Sequence, residues 1–140
     1  PYPSTRSLHD ARPIYGAAYV YVKDEGGPDA WGQVKLLTAS DTQNEDLFSF
    51  DVALYGDYVL VGAPYARGGG TQRGQVYAYA KDEGGVDGWG EAQRLRASEG
   101  RNEDHFGVTI AISGSYVVAG ATGYNGAGTE RGTAYVFKEI

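Results

Sequence analysis

Residues 74–81 read GQVYAYAK, residues 16–23 read GAAYVYVK, and residues 132–138 read GTAYVFK. Each stretch opens on a glycine, and the two intervals between these glycines are both 58 residues. Within each stretch the side chains alternate along the chain, which is the two-residue period of a β-strand. Residues 16–73 align with residues 74–131 without a gap, and 28 of the 58 positions are identical. The sequence is therefore an internal duplication built on β-strands.

Each repeat predicts four short strands separated by glycine-rich turns. Counted along the whole chain, this pattern gives nine strands, in groups of two, four and three. The predicted strands are residues 16–23, 31–38, 48–54 and 58–63 in the first copy, residues 74–81, 89–96, 106–112 and 116–121 in the second, and the stretch from residue 132 onward.

Four strands in a repeat of roughly 40–60 residues are typical of a β-propeller blade. We therefore predict an all-β fold made of blades of four antiparallel strands. The chain holds about 2.4 repeats, which is an incomplete ring. The predicted organisation is a non-repeat segment at residues 1–15, followed by repeats at residues 16–73 and 74–131 and a partial repeat at residues 132–140.

A closed propeller needs at least about four blades, so this chain cannot close a ring alone. Two explanations remain open: the chain is a fragment of a larger propeller, or several copies associate. Either way, we expect it to contact copies of itself or the rest of a larger propeller, because an isolated array leaves sheet faces exposed.

Composition excludes several classes of function. The chain contains no cysteine, so it has no thiolate metal site and no cysteine nucleophile. Its formal charge of −6 makes nucleic acid a poor candidate partner. No apolar run approaches the roughly 18 residues that a membrane helix needs, so we predict no membrane insertion.

Two short motifs carry a family resemblance. Phe106-Gly107 is followed, after a hairpin, by Gly120-Ala121-Thr122, and the first copy has Phe48-Ser49 and Gly62-Ala63-Pro64 at these places. In this fixed order, and with the surrounding segments, the sequence resembles the bacterial branch of the FG-GAP repeat family. The resemblance covers residues 16–140. It implies a β-propeller related to the head of integrin α subunits, an extracellular or cell-surface location, and adhesion or ligand binding without catalysis.

The resemblance does not extend to the calcium loop of that family. Calcium-binding members carry Asp-x-Asp-x-Asp-Gly-x-x-Asp between the Phe-Gly strand and the Gly-Ala-Pro strand. This chain has only residues 55–57 (YGD) and 113–115 (SGS) there. A three-residue turn with at most one carboxylate cannot supply the six or more oxygens that calcium takes. We therefore expect no cofactor at that position.

A second acidic cluster recurs in both copies, between the second and third strands. It offers weak candidates for a calcium site in the loops between blades. The alternative, which we favour, is that the repeated aspartates bond their own backbone and cap the turn before the next strand. The candidate residues are Asp41, Asp46, Glu99 and Asp104.

The glycine-rich loop after the fourth strand differs between the copies and carries Tyr, Arg and Asn. Such side chains in a glycine-rich loop are typical of recognition surfaces, although drift in an exposed loop gives the same pattern. The candidate ligand-binding residues are Tyr65, Arg67, Tyr124 and Asn125.

These observations predict a non-enzymatic extracellular module that binds a protein or a carbohydrate through propeller loops. No repeated Ser/His/Asp set suggests a nucleophilic triad. The alternatives are a purely structural repeat of a larger surface or fibre-forming protein, and a non-catalytic propeller attached to an enzyme.

Overall fold

The computed structural model describes residues 16–41, 43, 45–123 and 132–140. Every regular element in this part of the chain is a β-strand, which confirms the predicted all-β class. The strands are β1 (Ala18–Lys23), β2 (Trp31–Leu37), β3 (Val52–Tyr55), β4 (Tyr58–Ala63), β5 (Gln75–Ala80), β6 (Gly90–Leu95), β7 (Phe106–Ser113), β8 (Tyr116–Ala121) and β9 (Thr133–Lys138).

The strands form three antiparallel sheets in the predicted groups of two, four and three. Sheet 1 has the order β1-β2, sheet 2 the order β3-β4-β5-β6, and sheet 3 the order β7-β8-β9. Each 58-residue repeat therefore contributes the last two strands of one sheet and the first two strands of the next. Sheets 1 and 2 share a register shift at the same repeat position, Val20/Tyr21 and Ala78/Tyr79.

The third strand of the first copy starts later than the sequence predicts. It begins at Val52, whereas its equivalent β7 begins at Phe106. Left-handed φ angles do not cause this difference, because those of Leu47 and Ser49 (51° and 70°) resemble those of His105 and Gly107 (55° and 89°). In the second copy, Phe106 pairs with Ala121 and bridges Gly74, so β7 extends back to Phe106. Residues 48–50 of the first copy form turns and a bend, and the ladder begins with the pair Val52 and Val61.

Two apolar cores lie between the sheets, one at each junction. In the first, Ala18 and Val20 of sheet 1 cluster with Val59, Val61 and other residues of sheet 2. In the second, the opposite face of β4 contributes Leu60, which clusters with residues of sheet 3 that include Phe106, Ile110 and Val117. Strand β4 is therefore buried on both faces, and sheet 2 is stabilised by a neighbour on each side.

The sheets approach most closely at glycines. A Cβ atom added at Gly62 would lie 2.1 Å from the carbonyl oxygen of Gly107 and 3.1 Å from Cδ1 of Ile110. Only glycine permits this contact between β4 and β7, which explains why a glycine precedes Ala63 at the end of β4.

Candidate ligand-binding cleft

The loop after β2 is fixed to sheet 2 by a polar network. The Tyr77 hydroxyl donates to Oδ1 of Asp41 over 2.8 Å, and Nη1 of Arg94 donates to Oδ2 over 2.6 Å. The Arg94 guanidinium also lies over the Tyr77 ring, 5.4 Å from its centroid. Both oxygens of Asp41 are thus used within the protein, so this residue anchors sheet 1 to sheet 2.

Two further residues extend the network. Arg94 also donates to Glu91, and the Ser40 hydroxyl donates to the other oxygen of Glu91 over 2.9 Å. The hydrogen bond and charge of Glu91 raise the pKa of Arg94, while burial opposes them. Burial, and then the bond to Asp41, raise the pKa of Tyr77, so its hydroxyl stays a neutral donor at physiological pH.

A polar cleft of about 360 Å³ opens beside this network. One wall is the loop after β2, with Gln43, Glu45 and Asp46, and the other is the glycine-rich loop after β4. The second loop contributes Tyr65, Arg67, Gly70, Thr71 and Gln72.

A smaller recess of about 110 Å³ adjoins the cleft and shares Gln43, Asp46 and Arg67 with it. Its remaining lining includes Asp41, Gln75 and Arg96. The cleft and its recess therefore combine two guanidinium groups with carboxylates, amides and one aromatic ring.

Tyr65 is held in place from two directions. Its amide donates to the Asp46 carbonyl oxygen over 3.3 Å, and its ring lies 4.6 Å from the His105 imidazole, centroid to centroid. The His105 backbone amide in turn donates to the Gln72 carbonyl oxygen over 3.2 Å. The start of β7 therefore helps to fix the aromatic wall of the cleft.

The two arginines of the recess differ in how firmly they are held. Nε of Arg96 donates to Oε1 of Gln75 over 2.7 Å, and the Gln75 amide donates to the Tyr77 hydroxyl over 3.1 Å. Arg67 is exposed, and within the described part of the chain its guanidinium makes no hydrogen bond, although its charge acts on Asp46. Arg67 thus presents donors that remain available to a ligand.

The repeated aspartates accept backbone hydrogen bonds and cap turns, which agrees with the interpretation favoured by the sequence. Oδ2 of Asp46 accepts the Gln43 amide over 2.8 Å, and Oδ2 of Asp104 accepts the Arg101 amide in the same way. Burial raises the pKa of Asp46, and the Gln43 bond acts against that rise. Oδ1 of Asp104 is buried with no hydrogen-bond partner among the described residues.

The four calcium candidates are not gathered into one site. Asp41 and Asp46 both line the recess, whereas Glu99 and Asp104 belong to the corresponding loop beyond sheet 2. Within residues 16–41, 43, 45–123 and 132–140, no three His, Cys, Asp or Glu side chains are grouped so that they could hold a metal ion.

The structure brings together two of the four ligand-binding candidates, Tyr65 and Arg67, which line the same cleft. Tyr124 and Asn125 lie outside the described residues. Sequence reasoning missed Gln75, Arg96 and His105. All three differ between the copies, where the first copy has Ala17, Thr38 and Leu47, but more than half of the 58 aligned positions differ as well, so this signal alone does not select them.

Comparisons with known proteins agree with this architecture. The model of one family, described as the FG-GAP repeat, matches residues 31–79 and 89–137. No curated protein matches the chain. In the described part of the chain, no helix is long and apolar enough to cross a membrane. The two matches cover more than half of the sequence, and the chain therefore belongs to the FG-GAP repeat family.

Proposed function

We propose that this chain is a non-catalytic binding module of an extracellular or cell-surface protein, and that the polar cleft holds its ligand. FG-GAP repeats are typical of extracellular and surface proteins, which supports the location. The observation that carries the proposal is the pairing of Tyr65 with Arg67 on one wall of the cleft. An oriented aromatic ring beside a guanidinium with available donors suits the polar groups and apolar faces of a protein or carbohydrate ligand.

Binding should be tested with immobilised glycans and with protein pull-downs, each using the full chain. The two arms separate the two ligand classes. The matched variants are Arg67→Ala, which removes a guanidinium from the cleft, and Lys138→Ala, which removes a charge from the exposed end of β9. We expect Arg67→Ala to weaken binding by about 10-fold or more and Lys138→Ala to leave it unchanged. Equal binding by both variants would place the ligand elsewhere.

The alternative of a purely structural repeat is favoured by a different observation. Trp31, Tyr19 and Tyr21 lie exposed on sheet 1, although their equivalents in sheet 2 are buried. Exposed aromatic side chains on a repeat are typical of a surface that packs on a neighbouring repeat. Failure of every glycan and every protein to bind the intact chain would favour this second function.

A further inference from the structure

The recess beside the cleft is lined by two arginines that come from different elements. Arg67 belongs to the glycine-rich loop after β4, and Arg96 directly follows the end of β6. Neither guanidinium forms an ion pair with a described residue. Two guanidinium groups at one recess offer several hydrogen-bond donors and no acceptor, and anions are the partners that such groups bind most strongly.

A buried side chain holds Arg96 in place. Gln75 is 2% exposed, and its amide nitrogen donates to the Tyr77 hydroxyl over 3.1 Å. Because that hydroxyl donates its own proton to Asp41, it can only accept from Gln75, and this fixes the orientation of the Gln75 amide. The Gln75 oxygen then accepts Nε of Arg96 over 2.7 Å, while the two Nη nitrogens make no hydrogen bond to a described residue. The guanidinium is therefore positioned before a ligand arrives.

The carboxylates of the recess are engaged elsewhere. Both oxygens of Asp41 are used, one by Tyr77 and one by Arg94. Asp46 is buried, and it accepts the backbone amide of its own turn. Neither carboxylate forms an ion pair with the arginines of the recess, so the donors of these arginines are not taken by the protein itself.

The pair of arginines is confined to one junction of the duplicated chain. In the second copy the place of Arg67 is taken by Asn125. In the first copy the place of Arg96 is taken by Thr38. The aspartates that cap the turns, in contrast, recur in both copies and hold the same hydrogen bond. The scaffold of the loops is thus common to the two repeats, whereas the recess with two arginines is not required by it.

The adjoining cleft has the size and the lining of a sugar site. Its volume of about 360 Å³ lies in the range of about 300–1,000 Å³ of small-molecule sites, and that of the recess, about 110 Å³, lies below it. The recess therefore takes one group, and the cleft takes the body that carries it. The described side chains that line the cleft include amides, a hydroxyl and the Tyr65 ring but no aliphatic group. Polar side chains and one ring match the hydroxyls and the apolar face of a pyranose, whereas a peptide side chain would find no apolar pocket.

We propose that the recess binds the carboxylate of a hexuronic acid within a glycan, with Arg67 and Arg96 donating to its oxygens and the pyranose ring lying beside Tyr65. This inference rests on the proposed function, because it names the ligand class of the same cleft. A carboxylate fits better than a sulfate ester, since it is bonded directly to a ring carbon and the recess directly adjoins the cleft, sharing Gln43, Asp46 and Arg67 with it. Charge-assisted hydrogen bonds from guanidinium to carboxylate are about twice as strong as neutral ones.

The test is surface plasmon resonance with the full chain over immobilised trisaccharides at neutral pH. The probes are the trisaccharides of galacturonic, glucuronic, mannuronic and guluronic acid, the methyl ester of each, and a sulfated galactose trisaccharide. The methyl ester keeps the ring and its hydroxyls and removes only the charge. We expect at least one uronate to bind about 10-fold or more tightly than its own methyl ester.

The matched variants give each arginine the residue of the other copy. Arg67→Asn and Arg96→Thr should each weaken uronate binding by about 10-fold or more and leave the weaker binding of the methyl ester unchanged. Arg96→Lys, which keeps the charge but loses the planar fork, should also weaken uronate binding. Lys138→Ala is the control and should bind as the natural chain does. Circular dichroism shows which variants fold, and the comparison of uronate with ester on the natural chain does not depend on them.

Three results would overturn the inference. The first is equal binding of each uronate and its methyl ester, or uronate binding that Arg96→Thr leaves intact in the folded chain. The second is tighter binding of the sulfated galactose than of every uronate, which would assign the recess to sulfate. The third is binding of no uronate at all. If a protein or a neutral glycan then binds and Arg67→Ala weakens it, the proposed function stands and only the ligand class is wrong; if no ligand responds to Arg67→Ala, both are wrong.

Discussion

Sheets 1 and 2 carry the same aromatic residues, but these side chains are exposed in sheet 1 and buried in sheet 2. Trp89 is 6% exposed and Tyr77 is fully buried, whereas their equivalents Trp31 and Tyr19 are 66% and 52% exposed. Tyr19 and Tyr77 occupy equivalent strand positions, so their difference arises from the neighbouring sheet. The tryptophans also differ in local backbone, because Trp31 begins β2 whereas Trp89, with a φ of 48°, precedes β6. Sheet 1 covers the aromatic face of sheet 2, and no described residue does the same for sheet 1. Burial in this fold is thus a property of the junction between repeats.

The largest expected change in the free energy of unfolding comes from substitution of one residue of the tryptophan pair, Trp89. Trp89→Ala removes a large side chain from the first core and should lower the free energy of unfolding by about 3–5 kcal/mol. Trp31→Ala removes an exposed side chain and should change it by less than about 0.5 kcal/mol. Urea denaturation followed by far-UV circular dichroism measures both. Similar losses from both variants would show that Trp31 is buried in solution as Trp89 is.

The next largest loss of stability is expected from substitution of the glycine in the Phe-Gly motif. Gly107 has a φ of 89°, and a Cβ atom there would lie 2.8 Å from the Gln75 carbonyl oxygen and 2.9 Å from Cγ2 of Val76. Gly107→Ser should therefore cost about 2–3 kcal/mol, through strain and overpacking.

The natural contrast is Ser49, which holds the same position with a φ of 70°. The residues equivalent to Gln75 and Val76 are there Ala17 and Ala18, whose small side chains line an apolar groove beside Ser49. Ser49→Gly should change stability by less than about 0.5 kcal/mol, because the relief of strain is offset by a more flexible unfolded chain. A large gain would mean that Ser49 is crowded despite these alanines.

A smaller effect separates the buried Tyr77 from its exposed equivalent, Tyr19. Tyr77→Phe removes the acceptor of the buried Gln75 amide and a donor to Asp41, so it should cost about 1–2 kcal/mol. Tyr19→Phe, at the exposed equivalent position, should be neutral in the same denaturation experiment. A neutral Tyr77→Phe would show that water replaces the lost bonds and that the network does not clamp the junction.

The sequence predicts the strands, their grouping and the propeller-type sheets, because the 58-residue duplication repeats the alternation and the turns together. It does not reveal that Trp31 and Trp89 differ, since identical residues give the same local signal, whereas in the structure the two differ both in backbone conformation and in the sheet that packs beside them. It also places the start of β3 too early, because the local sequence does not show that Phe106 pairs with Ala121 and Gly74 whereas pairing of β3 begins only at Val52.

The candidate cleft was only partly predictable for a related reason. Tyr65 and Arg67 stand in one variable loop and could be selected from it. Gln75 and Arg96 reach the recess from β5 and from the end of β6, more than ten residues apart in sequence. Only the pairing of those strands brings them together.

The smallest expected effect concerns pH and lies at the first junction. Because burial raises the pKa of Asp46, the folded chain keeps a proton there at a pH at which the unfolded chain has released it. The contribution of Asp46 to stability therefore increases as pH falls from neutral through the raised pKa, and it levels off below the ordinary value of 3.8.

Asp46→Asn keeps an oxygen that can accept the Gln43 amide but removes the titration. Urea denaturation should thus show that, between pH 7 and pH 4, this variant gains less stability or loses more than the natural chain, with a smaller effect at neutral pH than that of Tyr77→Phe. Asp29→Asn, which changes an exposed carboxylate, is the control. If Asp46→Asn instead kept more of its stability on acidification than the natural chain, the carboxylate would be stabilised in its charged form, and the cleft would be more strongly positive than Arg67 and Arg96 suggest.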